Sequence, residues 1–229
     1  MRMSTDVTHP QARSNPLSPP FPRLWWMAVL AATGFLVHAW LVHVGAWQGI
    51  DHRLMWWLHG WASPGLDRFF HGVSAIGHER GVIPLDVLLL VLLSIRRRWR
   101  QALFVLVATA GSGVLNWLVK MLFARERPQL WPALTDAHNA SFPSGHAMGS
   151  FTLMLVLLIL AWPGRWRYPL LLFAAGFIVL VGLSRLYLGV HWPSDIVAGW
   201  LLAASWVFAI SACTARQQGG ELCRRTDIS

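Results

Sequence analysis

The sequence predicts an all-α fold: a bundle of six transmembrane helices with an amphipathic, interfacial segment between the first and second spans. Three observations carry this prediction. The 229-residue chain is 55% hydrophobic and 13% charged, with a mean hydropathy of +0.46, too apolar for an ordinary soluble domain. Its apolar residues gather into long runs, and its basic residues fall in short clusters between them. The formal charge of +9 therefore reads as cytoplasmic loops and a preference for anionic lipid, and not as a face for nucleic acid.

Residues 1–23 form the first unit, a cytoplasmic tail whose proline, serine and arginine content up to Pro22 gives no apolar periodicity and predicts flexibility. The membrane unit spans 24–215. Its first run, about Leu24 to Val44, is long enough to cross a core of ~30 Å at ~1.5 Å per residue and lacks a cleavage site, so it is expected to be retained.

Residues 46–80 differ in kind. Ile50, Leu54, Trp57, Leu58 and Trp61 recur at helical spacing among Asp51, Arg53 and His59, and Pro64-Gly65 separates them from a second short periodic piece. Such a segment lies in the interface plane, either packed on the bundle without a role in substrate handling or gating lipid entry.

The second span, about Val82 to Ile95, is short and carries Asp86, which is expected to be a bonded structural carboxylate. Arg96, Arg97, Arg98 and Arg100 mark its end as cytoplasmic. The third span, about Ala102 to Leu122, holds Gly111, Ser112 and Gly113, small residues that admit close helix neighbours. The fourth runs from about His146 to Trp162, the fifth from about Pro169 to Leu186 and the sixth from about Ile196 to Ala215, before a cytoplasmic tail at 216–229. Alternation of the basic clusters places both termini inside, and the loops 46–80, 120–145 and 186–195 outside. Cys213 and Cys223 show no metal or redox spacing and are expected to be free thiols. His38, His43, Asp136 and His138 are assigned to packing or solvent, and Asn139-Ala140-Ser141 matches a short glycosylation pattern.

Three clusters fall on the outer side. In KMLFARERP, Lys120 and Arg127 stand seven residues apart, close to two helical turns and so on nearly the same face of a helix, which Pro128 then ends. Lys120 is the only lysine among 19 basic residues, and lysine and arginine are not equivalent as phosphate ligands. In SFPSGHAMGS, a Pro143-Ser144-Gly145 turn opens the fourth span, where backbone N–H groups face an approaching anion. Ser144 adds a hydroxyl, or simply caps the helix, and His146 in the first turn could protonate a leaving oxygen. In SRLYLGVHWPSD, Arg185 can bind an anion, and Asp195 lies one helical turn beyond His191 and can orient its ring. These residues together predict an anion site for phosphoryl transfer. They do not choose which histidine attacks.

Taken together, the clusters resemble the signature of the type 2 phosphatidic acid phosphatase (PAP2) superfamily: K-x6-R-P (Lys120, Arg127, Pro128), P-S-G-H (Pro143, Ser144, Gly145, His146) and S-R-x5-H-x3-D (Ser184, Arg185, His191, Asp195). The resemblance implies a membrane lipid phosphatase in which His191 takes the phosphoryl group, Asp195 holds its ring and His146 protonates the leaving oxygen. It further implies that Lys120, Arg127, Ser144, Gly145 and Arg185 hold the phosphate oxygens, with no metal and no cofactor. The expected partners are a lipid phosphate and the bilayer, with no nucleic acid and no oligomeric state specified. The expected location is the inner membrane, with the site facing the periplasm or outside. Candidate substrates are undecaprenyl pyrophosphate, phosphatidic acid and phosphatidylglycerol phosphate. A lipid phosphotransferase using the same phosphohistidine, or a non-catalytic membrane protein, are the alternatives.

Overall fold

A computed structural model describes residues 21–134, 139–162 and 164–226. The tail at 1–20, Asp136 and His138, and the last three residues lie outside the described residues. Among the described residues there are eight helices and no strand: α1 (Phe21–His43), α2 (Gln48–His59), α3 (Pro64–Ile76), α4 (Val82–Ile95), α5 (Trp99–Phe123), α6 (Gly145–Ala161), α7 (Arg167–Tyr187) and α8 (Pro193–Thr226). The expected all-α class is met. The last helix does not stop near residue 215 but runs on to Thr226.

By length and apolar character, α1, α5, α7 and the first 22 residues of α8 are candidate membrane spans, whereas α4 and α6 are shorter apolar helices. At 14 and 17 residues these two are ~21 and ~26 Å long, below the ~30 Å of a typical hydrocarbon core. The chain is a multi-pass membrane protein. Its surface agrees, since Trp26, Leu30, Leu36, Ile95, Leu122 and Leu172 are each more than 65% exposed, acceptable only where the solvent is lipid.

The segment between α1 and α4 forms two short helices, as its broken periodicity predicts. Ser63 caps α3, accepting from the Leu66 N–H at 3.4 Å, with Pro64 as the first helical residue. The bundle is organised around α6 and α8, which pack on each other; α1 lies against α8, α7 against α6, and α5 touches both. Small residues set these distances. A Cβ on Gly111 of α5 would lie 2.4 Å from the Trp206 ring, so this indole seats on the helix and donates to the Val107 carbonyl at 3.1 Å. One apolar cluster joins Phe35, Val119, Phe142, Met148 and Leu202 from α1, α5, α6, α8 and the loop before α6. It lies directly under the turn that carries the polar residues described next.

Candidate functional site

Beneath the loops that precede α6 and α8 lies a cavity of about 800 Å³. Of the residues singled out in the sequence, Lys120, Arg127, Gly145, His146, Arg185 and His191 line it. Asp195 and Ser144 stand behind this lining, and each is fully buried.

His191 is held by the α7–α8 connection. That turn requires Gly189 at φ +74°, and a Cβ there would meet the Trp131 Nε1 at 2.7 Å. Asp195 follows in the first turn of α8, and its Oδ2 lies 3.5 Å from His191 Nδ1. The same Oδ2 accepts the Trp192 N–H at 2.9 Å and the Ser141 hydroxyl. Ser141 Oγ is itself 3.5 Å from His191 Nδ1. The other ring nitrogen, Nε2, faces the cavity, 3.3 Å from Arg127 Nη1. Burial pushes the His191 imidazole down to about 3, against the pull of Asp195, so the ring is neutral with Nε2 able to present a lone pair.

The expected arrangement of Lys120 and Arg127 on one helical face is not what forms. Helix α5 ends at Phe123 and Ala124 turns left-handed at φ 43°, so residues 125–128 leave the helix axis before Pro128 acts. Both cations reach the cavity by separate routes. Lys120 donates to the Ala140 carbonyl. Arg127 donates to the carbonyls of Asn139 at 2.8 Å and Val190 at 2.6 Å, which fixes its guanidinium between two loops. Arg185 donates to Ser74 of α3 while its buried Nε has no protein partner.

Ser144 caps α6: its Oγ accepts the Ala147 N–H at 3.5 Å, and its own N–H bonds the Asp195 carbonyl at 3.0 Å. Helices α6 and α8 cross so closely here that a Cβ on Gly199 would lie 2.8 Å from the Ser144 carbonyl. Gly145 and His146 occupy the first turn of α6, where N–H groups have no carbonyl of their own helix to bond, beside the cations.

Sequence reasoning missed several residues. Arg125, one residue past the helix end, donates to Asp195 Oδ1 at 2.6 Å and to Asp51 Oδ2 at 2.9 Å. Asp51, placed by the sequence only on an amphipathic helix, also accepts the Ser194 N–H at 2.9 Å. Ser141, part of a glycosylation-type triplet, is buried against the acid. His38, assigned to packing, bonds the Ser194 carbonyl at 2.8 Å. The segment between α1 and α4 does more than pack: its end supplies His78 and Glu79 to the cavity, and the His78 ring lies 4.6 Å from that of His146. Burial lowers the His78 imidazole, Glu79 opposing and Arg185 reinforcing. Asp86, expected as a bonded structural carboxylate, also lines the cavity, and its buried Oδ1 has no hydrogen-bond partner. For His38, His78, Glu79 and Asp86 the available signal was an ionisable residue at membrane depth or beside an amphipathic helix; Arg125, Ser141 and Asp51 carried no local signal of their contacts.

An all-helical, multi-pass membrane bundle with cations and two histidines around one pocket fits a membrane-embedded phosphatase. Residues 101–218 match the family described as the PAP2 superfamily, and the chain belongs to it. It is 28% identical to phosphatidylglycerophosphatase B of Bacillus subtilis over 181 residues, 77% of this chain and 89% of that one. It is 35% identical to undecaprenyl-diphosphatase of Sulfolobus acidocaldarius over 147 residues, 61% of this chain and 66% of that one. Among solved structures it resembles the transmembrane PAP2-type phosphatidylglycerolphosphate phosphatase of Bacillus subtilis with a TM-score of 0.75 and 26% identity, covering 83% of this chain and 97% of that one. The protein is accordingly a hydrolase acting on phosphate esters.

Proposed function

We propose that this chain hydrolyses phosphate mono- or pyrophosphate esters of lipids at the extracytoplasmic face of the inner membrane, through a phosphohistidine on His191. The observation that carries this reading is the division of the His191 ring, with Nδ1 toward Asp195 and Ser141 and Nε2 toward the cations. Nε2 attacks phosphorus in line with the ester oxygen, the P–O bond breaks, and His146 gives its proton to the departing lipid oxygen. His146, now without that proton, takes one from a water molecule whose oxygen attacks the phosphohistidine; the N–P bond breaks, phosphate is released and both histidines are restored. Lys120, Arg127, Arg185 and the first-turn N–H groups at Gly145 and His146 hold the nonbridging oxygens where charge accumulates, and Ser144 sets that turn. The chemistry uses these side chains alone, with no metal and no cofactor.

Six spans, with both termini cytoplasmic, agree with the surface of α4, whose Ile83, Leu85, Val87, Leu88, Val91 and Leu92 are exposed. Helix α4 starts at the cavity and ends before the arginine cluster at 96–100, to which α5 connects. Cytoplasmic arginines then leave the cavity on the outer side. The names of the relatives favour a lipid phosphate as substrate.

The test is a phosphate-release panel on purified protein in detergent with EDTA present, over undecaprenyl pyrophosphate, phosphatidic acid, phosphatidylglycerol phosphate and a soluble phosphate ester. Release from at least one lipid in wild type and none in His191→Ala is expected. Wild-type turnover by His191→Ala overturns the mechanism.

A further inference from the structure

Lys120 and Arg127 share no helix. Lys120 belongs to α5, Arg127 lies beyond the left-handed end of that helix, and His191 and Asp195 belong to the α7–α8 turn and the start of α8. The spacing of these four groups must therefore be set by contacts between elements. Two like charges beside one cavity repel each other, and a reacting group misplaced by ~1 Å can lose about a hundredfold in rate.

One stretch of three residues touches all four. Arg127 donates through Nε to the Asn139 carbonyl at 2.8 Å and through Nη2 to the Asn139 Oδ1 at 2.6 Å. Lys120 donates to the next carbonyl, that of Ala140. The Ser141 hydroxyl donates to Asp195 Oδ2, and its oxygen lies 3.5 Å from His191 Nδ1. The stretch is itself fixed. Ser141 donates its N–H to the Arg125 carbonyl at 2.8 Å, and the fully buried Phe142 packs against Phe35 and Phe123, with ring centroids 6.1 and 4.7 Å away. Because Arg127 Nη1 stands 3.3 Å from His191 Nε2, these contacts close a loop from the cation on one side of the imidazole to the acid on the other.

We infer that Asn139, Ala140 and Ser141 form a positioning strap that sets the two cations against His191, so that phosphorus meets Nε2 in line. The inference rests on the phosphatase reading above and adds to it residues outside the three signature clusters. The triplet that matches a glycosylation pattern, its serine buried, thereby takes a role inside the site. The work is divided along it. Asn139 acts on phosphate binding: a planar guanidinium held at two points keeps Nη1 directed toward the reacting nitrogen. Ser141 acts on the nucleophile: its hydroxyl holds the carboxylate oxygen that faces the ring, and the carboxylate in turn holds the ring.

The test measures kcat, the inhibition constant of inorganic phosphate and Tm for wild type, Asn139→Ala and Ser141→Ala in detergent, on the lipid of the panel above that wild type hydrolyses fastest. Asn139→Ala is expected to raise the phosphate constant about threefold to tenfold, because the guanidinium loses one anchor. Ser141→Ala keeps the backbone bond to Arg125 and removes only the hydroxyl. It is expected to lower kcat about tenfold to a hundredfold while the phosphate constant moves less than about twofold. A loop with a merely structural role would shift both constants together, in step with Tm. That pattern overturns the strap, as does an unchanged kcat in Ser141→Ala or an unchanged phosphate constant in Asn139→Ala. Absence of phosphate release from every lipid by wild type would instead overturn the phosphatase reading on which the strap rests.

Discussion

Arg125 holds Asp195 in place: its Nη1 donates to Oδ1 at 2.6 Å, while its Nη2 reaches Asp51 on α2 at 2.9 Å. Both carboxylates are fully buried, and the arginine side chain is 19% exposed. Helix α2 is thereby tied to the acid that faces the proposed nucleophile.

Arg125→Met removes the cation from between two buried carboxylates. Breaking a buried pair in this way costs ~3–5 kcal/mol, with the lower end expected because the arginine is partly solvated. Thermal unfolding in detergent should show Tm lowered by ~10 °C, with Arg125→Lys intermediate. An unchanged Tm would show that the bridge contributes nothing.

The pH behaviour of His191 follows from burial, which holds its ring neutral well below the ordinary 6.5. The unfolded chain takes up a proton near pH 6.5 that the folded chain refuses, so this group's stabilisation is complete above pH 6.5 and is lost as pH falls toward 3. NMR of ring-labelled protein, with His191 assigned through His191→Gln, should show no titration of that ring between pH 5 and 8. A midpoint near 6.5 would contradict the buried environment.

Gly189→Ala places a side chain at φ +74° and 2.7 Å from the Trp131 indole nitrogen. The backbone conformation alone costs ~1 kcal/mol and the contact more. Because His191 lies two residues on, kcat should fall by more than stability alone explains. Thermal unfolding and kcat measured on the same preparation separate the two effects, and an unchanged kcat would detach the turn from the site.

Much of the helical order is legible from apolar runs. The predicted second span, Val82 to Ile95, coincides with α4, and the fourth and fifth agree with α6 and α7 within about two residues. The C-terminal end of α8 was not, since its polar residues break the apolar pattern without breaking a helix. The signature residues were legible because their types and spacing are distinctive, yet the geometry between Lys120 and Arg127 was not. Ala124 adopts a left-handed cap that alanine does not advertise, and so the helical reading was extended too far. Arg125, Ser141 and Asp51 were hidden for another reason. Their significance lies in contacts across 54 to 74 residues of chain, which no local pattern encodes. Asp86 and His78 were visible as ionisable residues, but only folding shows that they share one cavity.

Trapping the intermediate tests the central claim most directly. Protein turning over a lipid phosphate is quenched in alkali, which preserves phosphohistidine, and its peptides are examined by mass spectrometry. Phosphate on His191, absent from the His191→Ala protein and from His146, is the predicted result. Phosphate on another residue, or full turnover by His191→Ala, would contradict the account.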